Sequence, residues 1–186
     1  RKANPRMRWW KQPRSHRYPG LGLLMVAALS PPGTEVRLIE DDVEDIDFQN
    51  PTDLVGLSLL TSNAKRGYDI AERYRARGVP VVLGGMHVTA CPEEAARHGE
   101  AIVIGEAEDT WPKLICDFAS GHLQKIYRSS NSSELGNLPF PKRDLLKKDQ
   151  YTSVNTVQAS RGCPFNCEFC SITAAFGKRI RYRPVE

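Results

Sequence analysis

The hydrophobic pattern of the first 125 residues alternates between short apolar runs and longer amphipathic stretches. Apolar runs of about four to eight residues, bounded by turn residues, are typical of buried strands. They predict strands at 35–39, 53–60, 79–83 and 101–104. Apolar residues spaced by three and four positions are typical of helices. They predict a helix over 111–118. An apolar run that stops at Pro31-Pro32-Gly33 predicts a helix over 21–29, and the start at Ser62 or Asn63 with the stop at Gly78 predicts one over 63–77.

Strands separated by helices of this length predict an α/β fold with a doubly wound, Rossmann-like parallel sheet. The carboxyl ends of parallel strands meet at one edge, where ligands of such sheets bind. Three turns fall at those ends: Thr61-Ser62-Asn63, Gly84-Gly85-Met86-His87 and Gly105-Glu106. A glycine lets the backbone approach a bulky ligand closely, although a glycine pair also suits a tight strand-to-helix turn. We expect these turns to lie together at one edge of the sheet.

The pattern changes after residue 125. Residues 126–150 lack periodicity and contain the run Ser129–Ser133 and the prolines of Leu138–Pro141, which predict an exposed connector. The apolar segment Thr152–Ala159 then predicts a strand. These boundaries divide the chain into a sheet domain at 1–125, a linker at 126–150 and a second domain that begins at 151 and runs to 186.

Three cysteines follow the last predicted strand. Cys163, Cys167 and Cys170 form a C-x-x-x-C-x-x-C loop within eight residues. Three thiolates at this spacing can hold three corners of an iron–sulfur cube and leave the fourth iron open to a ligand. Because the loop follows a predicted strand, we expect it at the mouth of a β/α unit, where such folds keep their chemistry.

Other roles for the three cysteines remain open but are disfavoured. A structural zinc site needs four ligands, and the nearest other candidates, Cys91, Cys116 and His122, precede Cys163 by 41 residues or more. Ferredoxin runs have a different spacing order and a fourth cysteine before a proline. Five cysteines without a secretory signal also disfavour a disulfide framework. We expect Cys91, at a helix entrance, and Cys116, within a helix, to be buried and unreactive thiols.

The cysteine loop carries a family resemblance. The run Arg161-Gly-Cys-Pro-Phe-Asn-Cys-Glu-Phe-Cys-Ser-Ile-Thr173 resembles the signature loop of the radical S-adenosylmethionine (SAM) enzymes. The resemblance implies that Cys163, Cys167 and Cys170 bind a 4Fe–4S cluster whose fourth iron binds SAM. It implies electron transfer that cleaves SAM to methionine and a 5′-deoxyadenosyl radical, with Phe169 near the adenine. It also implies an electron donor such as flavodoxin or ferredoxin.

The order of the domains resembles the cobalamin-binding class of radical SAM enzymes. Ser58-Leu-Leu60 followed by Gly84-Gly85 is similar to the S-x-L … G-G part of the cobalamin-binding pattern. The D-x-H-x-x-G element, whose histidine ligates cobalt in some cobalamin proteins, is absent, and neither His16 nor His87 sits in that context. The resemblance therefore implies cobalamin without a histidine on cobalt. The implied contacts are Thr61, Ser62, Asn63, Gly84, Gly85, His87, Gly105 and Glu106.

This class implies a radical SAM reaction, for which methyl transfer to an unactivated carbon of a small-molecule substrate is the commonest outcome; cyclisation and rearrangement are also found. Two alternatives stay open: a metal-binding recognition module with zinc on the cysteines, and an iron–sulfur electron carrier without SAM chemistry. Elemental analysis separates the three functions. The cobalamin-dependent enzyme would contain iron, sulfide and cobalt, the recognition module zinc alone, and the electron carrier iron and sulfide without cobalt.

Composition changes this picture little. Hydrophobic residues make up 40% of the chain and charged residues 26%, as in ordinary globular proteins. No apolar run approaches the roughly 20 residues of a membrane span, and no signal peptide is recognisable, so we expect a cytoplasmic protein. The net charge of +4 is concentrated at the ends, and residues 20–171 sum to −6. A basic tail containing Trp9 and Trp10 is compatible with nucleic-acid binding, but the acidic remainder disfavours it.

Both ends of the chain look cut. Ala3-Asn4-Pro5 resembles the exit of a first strand whose body is missing, and the sequence stops sixteen residues after Cys170. A radical SAM barrel needs about 150–200 further residues for its remaining β/α units. We therefore expect most of a cobalamin-binding-type domain followed by the first β/α unit of a truncated partial barrel, a fragment that is not catalytically competent by itself.

Overall fold

A four-stranded sheet organises the molecule; the computed structural model describes residues 17–129 and 133–184. Its strands are β1 (Val55–Ser58), β2 (Val81–Gly84), β3 (Ala101–Ile104) and β4 (Ile126–Arg128). They lie side by side in chain order, and every neighbouring pair is parallel. The predicted α/β class with a parallel sheet is therefore confirmed, and all four carboxyl ends share one edge.

Five helices surround this sheet. They are α1 (Leu21–Leu29), α2 (Ala64–Arg75), α3 (Met86–Ala90), α4 (Pro92–Ala95) and α5 (Trp111–Ala119). The sequence predicted α1, α2 and α5 to within two residues at each end. Asn63 precedes α2, and the helix is followed by Gly78 at a φ of +77°, a conformation that favours glycine.

Alternate residues of the strands pack against helices on opposite faces. On one face, Leu83 and Ile102 join a core with Ile70 of α2 and Val88 of α3. On the other face, Val82, Ala101 and Val103 pack with Leu114 of α5. The helix α1 lies beside α5, where Trp111 Nε1 donates a hydrogen bond to Ser30 Oγ at 3.0 Å. Helices on both faces make the sheet doubly wound.

Two short elements differ from the sequence prediction. The segment 35–39 forms no strand; its Leu38 packs instead against a separate core that contains Leu24, Leu146 and Tyr151. Conversely, β4 lies in the segment predicted as a connector. Strand β4 has only three residues, of which Tyr127 alone is buried, and this is too short to show an alternating pattern in the sequence. The strand forms because it pairs with β3.

The cysteine loop lies between two very short strands. Strand β5 (Ser160–Arg161) pairs antiparallel with β6 (Arg181–Tyr182), and helix α6 (Ile172–Phe176) lies between them. The predicted strand 152–159 is wrong: the segment carries no ladder, and only Ala159 accepts a hydrogen bond from the chain beyond β6, at Arg183. An apolar run without a hydrogen-bonded neighbour cannot form a sheet. The predicted first β/α unit of a barrel is therefore not confirmed.

The described residues 133–150 of the predicted linker include short helical turns. These are three 3₁₀ helices, at Leu135–Asn137, Arg143–Leu145 and Lys148–Gln150. Within the described part of the chain, every helix is too short or too polar to cross a lipid bilayer. The predicted strand exit at Ala3-Asn4-Pro5, the tryptophans of the basic tail and His16 lie outside the described residues.

Candidate functional site

The turns that follow β1, β2 and β3 form one continuous surface at the carboxyl edge of the sheet. Leu59 N–H donates to the carbonyl of Gly84 at 2.8 Å, and its own carbonyl accepts from His87 N–H at 3.0 Å. Gly105 N–H donates to Thr89 Oγ1 at 3.0 Å. Hydrogen bonds therefore connect all three predicted turns, as the parallel topology requires.

A cavity of about 1800 Å³ extends along β1 to this edge, and residues of α1, α2 and α5 line it. Typical small-molecule sites have volumes of roughly 300–1,000 Å³, so this cavity has room for an unusually large ligand. The predicted residues that line it are Gly84, Gly85, Gly105 and Glu106. Its lining also includes Arg161, Ala175 and Phe176, which flank the cysteine loop. A ligand bound here would contact both the sheet edge and the segments that carry the loop.

The other predicted contacts lie outside the cavity lining. Ser62 and Asn63 belong with Thr61 to an exposed 3₁₀ turn. His87 is buried and points toward α2, with Nδ1 3.2 Å from Thr61 Oγ1 and Nε2 3.0 Å from the Tyr68 hydroxyl. Burial raises the pKa of Tyr68 to about 12, so that its phenol stays neutral at physiological pH. After β1 the cavity is lined instead by Ser58 and Leu60.

The two glycines after β2 have different environments. Gly85 adopts a φ of +95° and a ψ of −175°, a region that glycine alone occupies readily. A Cβ there would lie 2.7 Å from the Leu59 carbonyl oxygen and 2.8 Å from its nitrogen. A Cβ on Gly84 would meet Val103 at 3.7 Å, an ordinary contact. The backbone conformation therefore requires glycine at position 85, whereas position 84 has room for a Cβ atom.

Gly85→Ala is expected to lower the free energy of unfolding by about 1–3 kcal/mol, because the residue must keep a conformation that alanine avoids. Chemical denaturation followed by circular dichroism measures the change. Gly84→Ala is the matched control in the adjacent position, and we expect it to change stability by less than about 1 kcal/mol. Equal losses in the two variants would contradict this assignment.

The cysteine loop presents its thiols toward solvent. Cys163 and Cys170 are half-buried, Cys167 is exposed, and all three are free. Phe169 is 94% exposed and lies outside the cavity lining. Gly162, at a φ of +95°, lets the start of the cysteine loop lie against the backbone of Arg179, because a Cβ at position 162 would be only 2.1 Å from the Arg179 carbonyl oxygen. The loop thus offers three accessible soft donors, which suit an iron–sulfur cluster.

A buried ionic cluster, not anticipated from the sequence, joins this loop region to the sheet. Arg161 Nη1 lies 2.8 Å from a carboxylate oxygen of Glu106 and 2.7 Å from one of Glu108. Arg181 Nη1 donates to Glu106 at 2.9 Å, and its Nη2 also contacts that carboxylate. The side chains of Arg181 and Glu106 are 0% and 4% exposed. The hydrogen bond with Glu106 raises the pKa of Arg181, so its guanidinium stays charged.

This cluster assigns Glu106 a structural partner in addition to its place in the cavity lining. In the sequence, only the two glutamates after β3 and the basic residues near residue 181 hint at this cluster. Such charged stretches more commonly lie on solvated surfaces, so they do not by themselves predict a buried ion pair. Because Arg161 precedes the cysteine loop and Arg181 follows it, the four charges hold the base of the loop against the end of β3.

Two predictions about the remaining thiols are wrong. Cys91 and Cys116 are both exposed, not buried. Cys116 lies in α5, whose contact with the sheet is made by Leu114 with Trp111 and Ile115. Cys91 lies at the break between α3 and α4.

Comparisons with known proteins agree with this architecture. A family described as the B12 binding domain matches residues 14–115, more than half of the chain. The chain is 35% identical to a bacteriochlorophyllide d C-8(2)-methyltransferase of Chlorobaculum tepidum, over 87% of this chain and 37% of the relative. It is 31% identical to a bacteriochlorophyllide d C-12(1)-methyltransferase of the same organism, over 89% of this chain and 38% of the relative.

A third relative, the hopanoid C-2 methylase of Rhodopseudomonas palustris, is 28% identical over 90% of this chain and 33% of its own length. The chain therefore spans between about a third and two fifths of the length of these relatives. The family match covers the sheet and its carboxyl-edge turns, and the cysteine loop follows it in the chain. The chain thus belongs to the B12 binding domain family.

Proposed function

We propose that this chain is part of an enzyme that binds cobalamin at the carboxyl edge of the sheet and a 4Fe–4S cluster on Cys163, Cys167 and Cys170. With SAM, it would methylate a carbon atom of a small-molecule substrate. The observation that carries the proposal is the large cavity between the sheet turns and the segments that flank the cysteine loop. The methyltransferase names of the relatives support the same reaction class.

The cavity fits a corrin in size and in the character of its walls. Gly84 contributes no side chain, and the atoms nearest to its Cβ position belong to Val103, which also lines the cavity. Ser58 and Asn155 add polar groups that can hydrogen bond to the amide side chains of a corrin. Among residues 17–129 and 133–184, no histidine lines the cavity. We therefore propose that shape and backbone contacts, not a histidine–cobalt bond, hold cobalamin here.

The cysteine loop fits a cluster with one open iron. Its three free thiols are accessible, and no fourth ligand lies nearby in the sequence. When bound, the cluster supplies the electron that cleaves SAM, and cobalamin supplies the methyl group. The chain's own contribution is positional: Glu106 and Glu108 hold Arg161 and Arg181, which keep the loop beside the cavity. The exposed ring of Phe169 is available to stack on the adenine of SAM.

Cobalamin binding by the full-length protein tests this proposal. Gly84→Phe is expected to weaken binding at least about tenfold, or roughly 1.4 kcal/mol, because the ring would occupy the cavity. Gly20→Phe is the control, since Gly20 is exposed and outside the cavity lining. The measurement is cobalt per chain after anaerobic reconstitution with excess cobalamin, with circular dichroism to show that each variant is folded.

We expect about one cobalt per chain in the parent and in Gly20→Phe. A parent protein that binds no cobalt would overturn the cobalamin part of the proposal. Equal binding in all three proteins would place the corrin outside this cavity. An external reductant, such as flavodoxin or ferredoxin, is also part of the proposal and can be tested by its ability to reduce the reconstituted cluster.

A further inference from the structure

Three potential metal ligands converge on the face of the sheet that carries α2, away from the large cavity. They are His87 of α3, Cys91 between α3 and α4, and Glu94 of α4. One ligand atom from each lies within 4.8 Å of the other two, and within the described residues no other group of three His, Cys, Asp or Glu side chains does so. None of the three lines the large cavity.

The local backbone explains why these side chains meet. They occupy positions i, i+4 and i+7, which lie on one side of a helical path. The path continues through the break at Cys91, because Cys91 N–H donates to the His87 carbonyl at 2.8 Å and Ala95 N–H donates to the Cys91 carbonyl at 3.1 Å. Pro92 then begins α4, where a proline fits without losing a hydrogen bond.

We propose that His87 Nε2, Cys91 Sγ and a carboxylate oxygen of Glu94 bind one Zn²⁺ ion. Imidazole, thiolate and carboxylate are the ligands that zinc takes in proteins. Bond lengths of about 2.0–2.3 Å place tetrahedral ligand atoms roughly 3.5 Å apart. His87 Nε2 and Glu94 Oε1 are already 3.5 Å apart. Cys91 and Glu94 are exposed, so their side chains are free to close the remaining distance.

The surroundings of His87 favour a metal ligand. Thr61 Oγ1 lies 3.2 Å from Nδ1 and can accept its proton, which leaves Nε2 as the acceptor nitrogen. The Tyr68 hydroxyl lies 3.0 Å from Nε2, and a bound Zn²⁺ would take its place there. An oxygen acceptor behind the ligating imidazole is the usual arrangement at metal sites. A surface pocket of about 300 Å³ that Glu94, Tyr68 and His98 line lies beside the three ligands and can admit water.

Zinc binding by the full chain tests the site once the cysteine loop is removed as a competitor. In a background with Cys163, Cys167 and Cys170 all replaced by alanine, we expect one Zn²⁺ per chain, measured by elemental analysis after dialysis and by competition with a chromophoric chelator. Adding Cys91→Ser should weaken binding by about 100-fold or more. Thr61→Val, which removes only the supporting oxygen, should weaken it by about 10- to 100-fold.

Cys116→Ser is the matched control, because Cys116 is an equally exposed free thiol outside the group of three ligands. It should bind zinc like the background protein. Failure of the background protein to bind zinc would overturn the site, as would unchanged binding in Cys91→Ser or an equal loss in Cys116→Ser. Circular dichroism of the zinc-free proteins ensures that a loss reflects the missing ligand. The result does not depend on whether the protein binds cobalamin or a cluster.

Discussion

Alanine in place of Cys163, Cys167 or Cys170 is expected to abolish the iron–sulfur cluster, and iron should fall from about four per chain to near zero. In the proposed cluster each thiolate would hold one iron, and the fourth iron would have no protein ligand. Losing one cysteine therefore leaves only two protein bonds to hold a reactive cluster. The measurement is iron and sulfide per chain, with the visible absorbance of the cluster, after anaerobic reconstitution of the full-length protein.

Cys91→Ala and Cys116→Ala provide the controls for this experiment. Both thiols are as free and exposed as Cys167, but they lie among the helices of the sheet domain and not in the loop. We expect both variants to keep their iron and sulfide. An equal loss of iron in Cys116→Ala would contradict the ligand assignment. Zinc in place of iron and sulfide, lost with the loop cysteines, would favour the metal-binding recognition module.

Glu106→Gln is expected to lower the free energy of unfolding by about 3–5 kcal/mol. Its carboxylate accepts from both Arg161 and Arg181, and the Arg181 side chain is fully buried. The amide keeps the shape of the carboxylate but leaves a buried positive charge without its partner. Chemical denaturation measures the loss. Because Arg161 and Arg181 flank the cysteine loop, we also expect less iron to be retained by this variant.

A surface ion pair in the same region supplies the comparison. Arg179 and Glu134 are 2.8 Å apart, but their side chains are 76% and 53% exposed. Glu134→Gln should therefore cost less than about 1 kcal/mol. Replacing Glu106 and Arg181 together with methionine should restore much of the loss, since neither buried charge then remains alone. Equal effects of Glu106→Gln and Glu134→Gln would refute the assignment of a structural ion cluster.

Long local signals were enough to predict most of the sheet domain. Helices α2 and α5 show amphipathic periodicity, α1 is an apolar run that ends before prolines, and β1, β2 and β3 are apolar runs between turn residues. Short extended segments were not predictable in this way. Strand β4 forms where β3 offers it hydrogen bonds, whereas the segment 152–159 has no strand beside it and remains without a ladder.

The candidate site also combines features that local sequence predicts with features that depend on tertiary contacts. The sequence by itself predicted the three cysteines as cluster ligands, because their spacing is local, and that prediction awaits its test. It also determined the edge where the turns meet, because parallel strands bring their carboxyl ends together. Only the tertiary structure decided that His87 faces α2, that Gly85 serves the backbone, and that Glu106 meets Arg181 across 75 positions of the chain. The physical reason is that burial and the pairing of charges depend on residues distant in sequence, which no local spacing specifies.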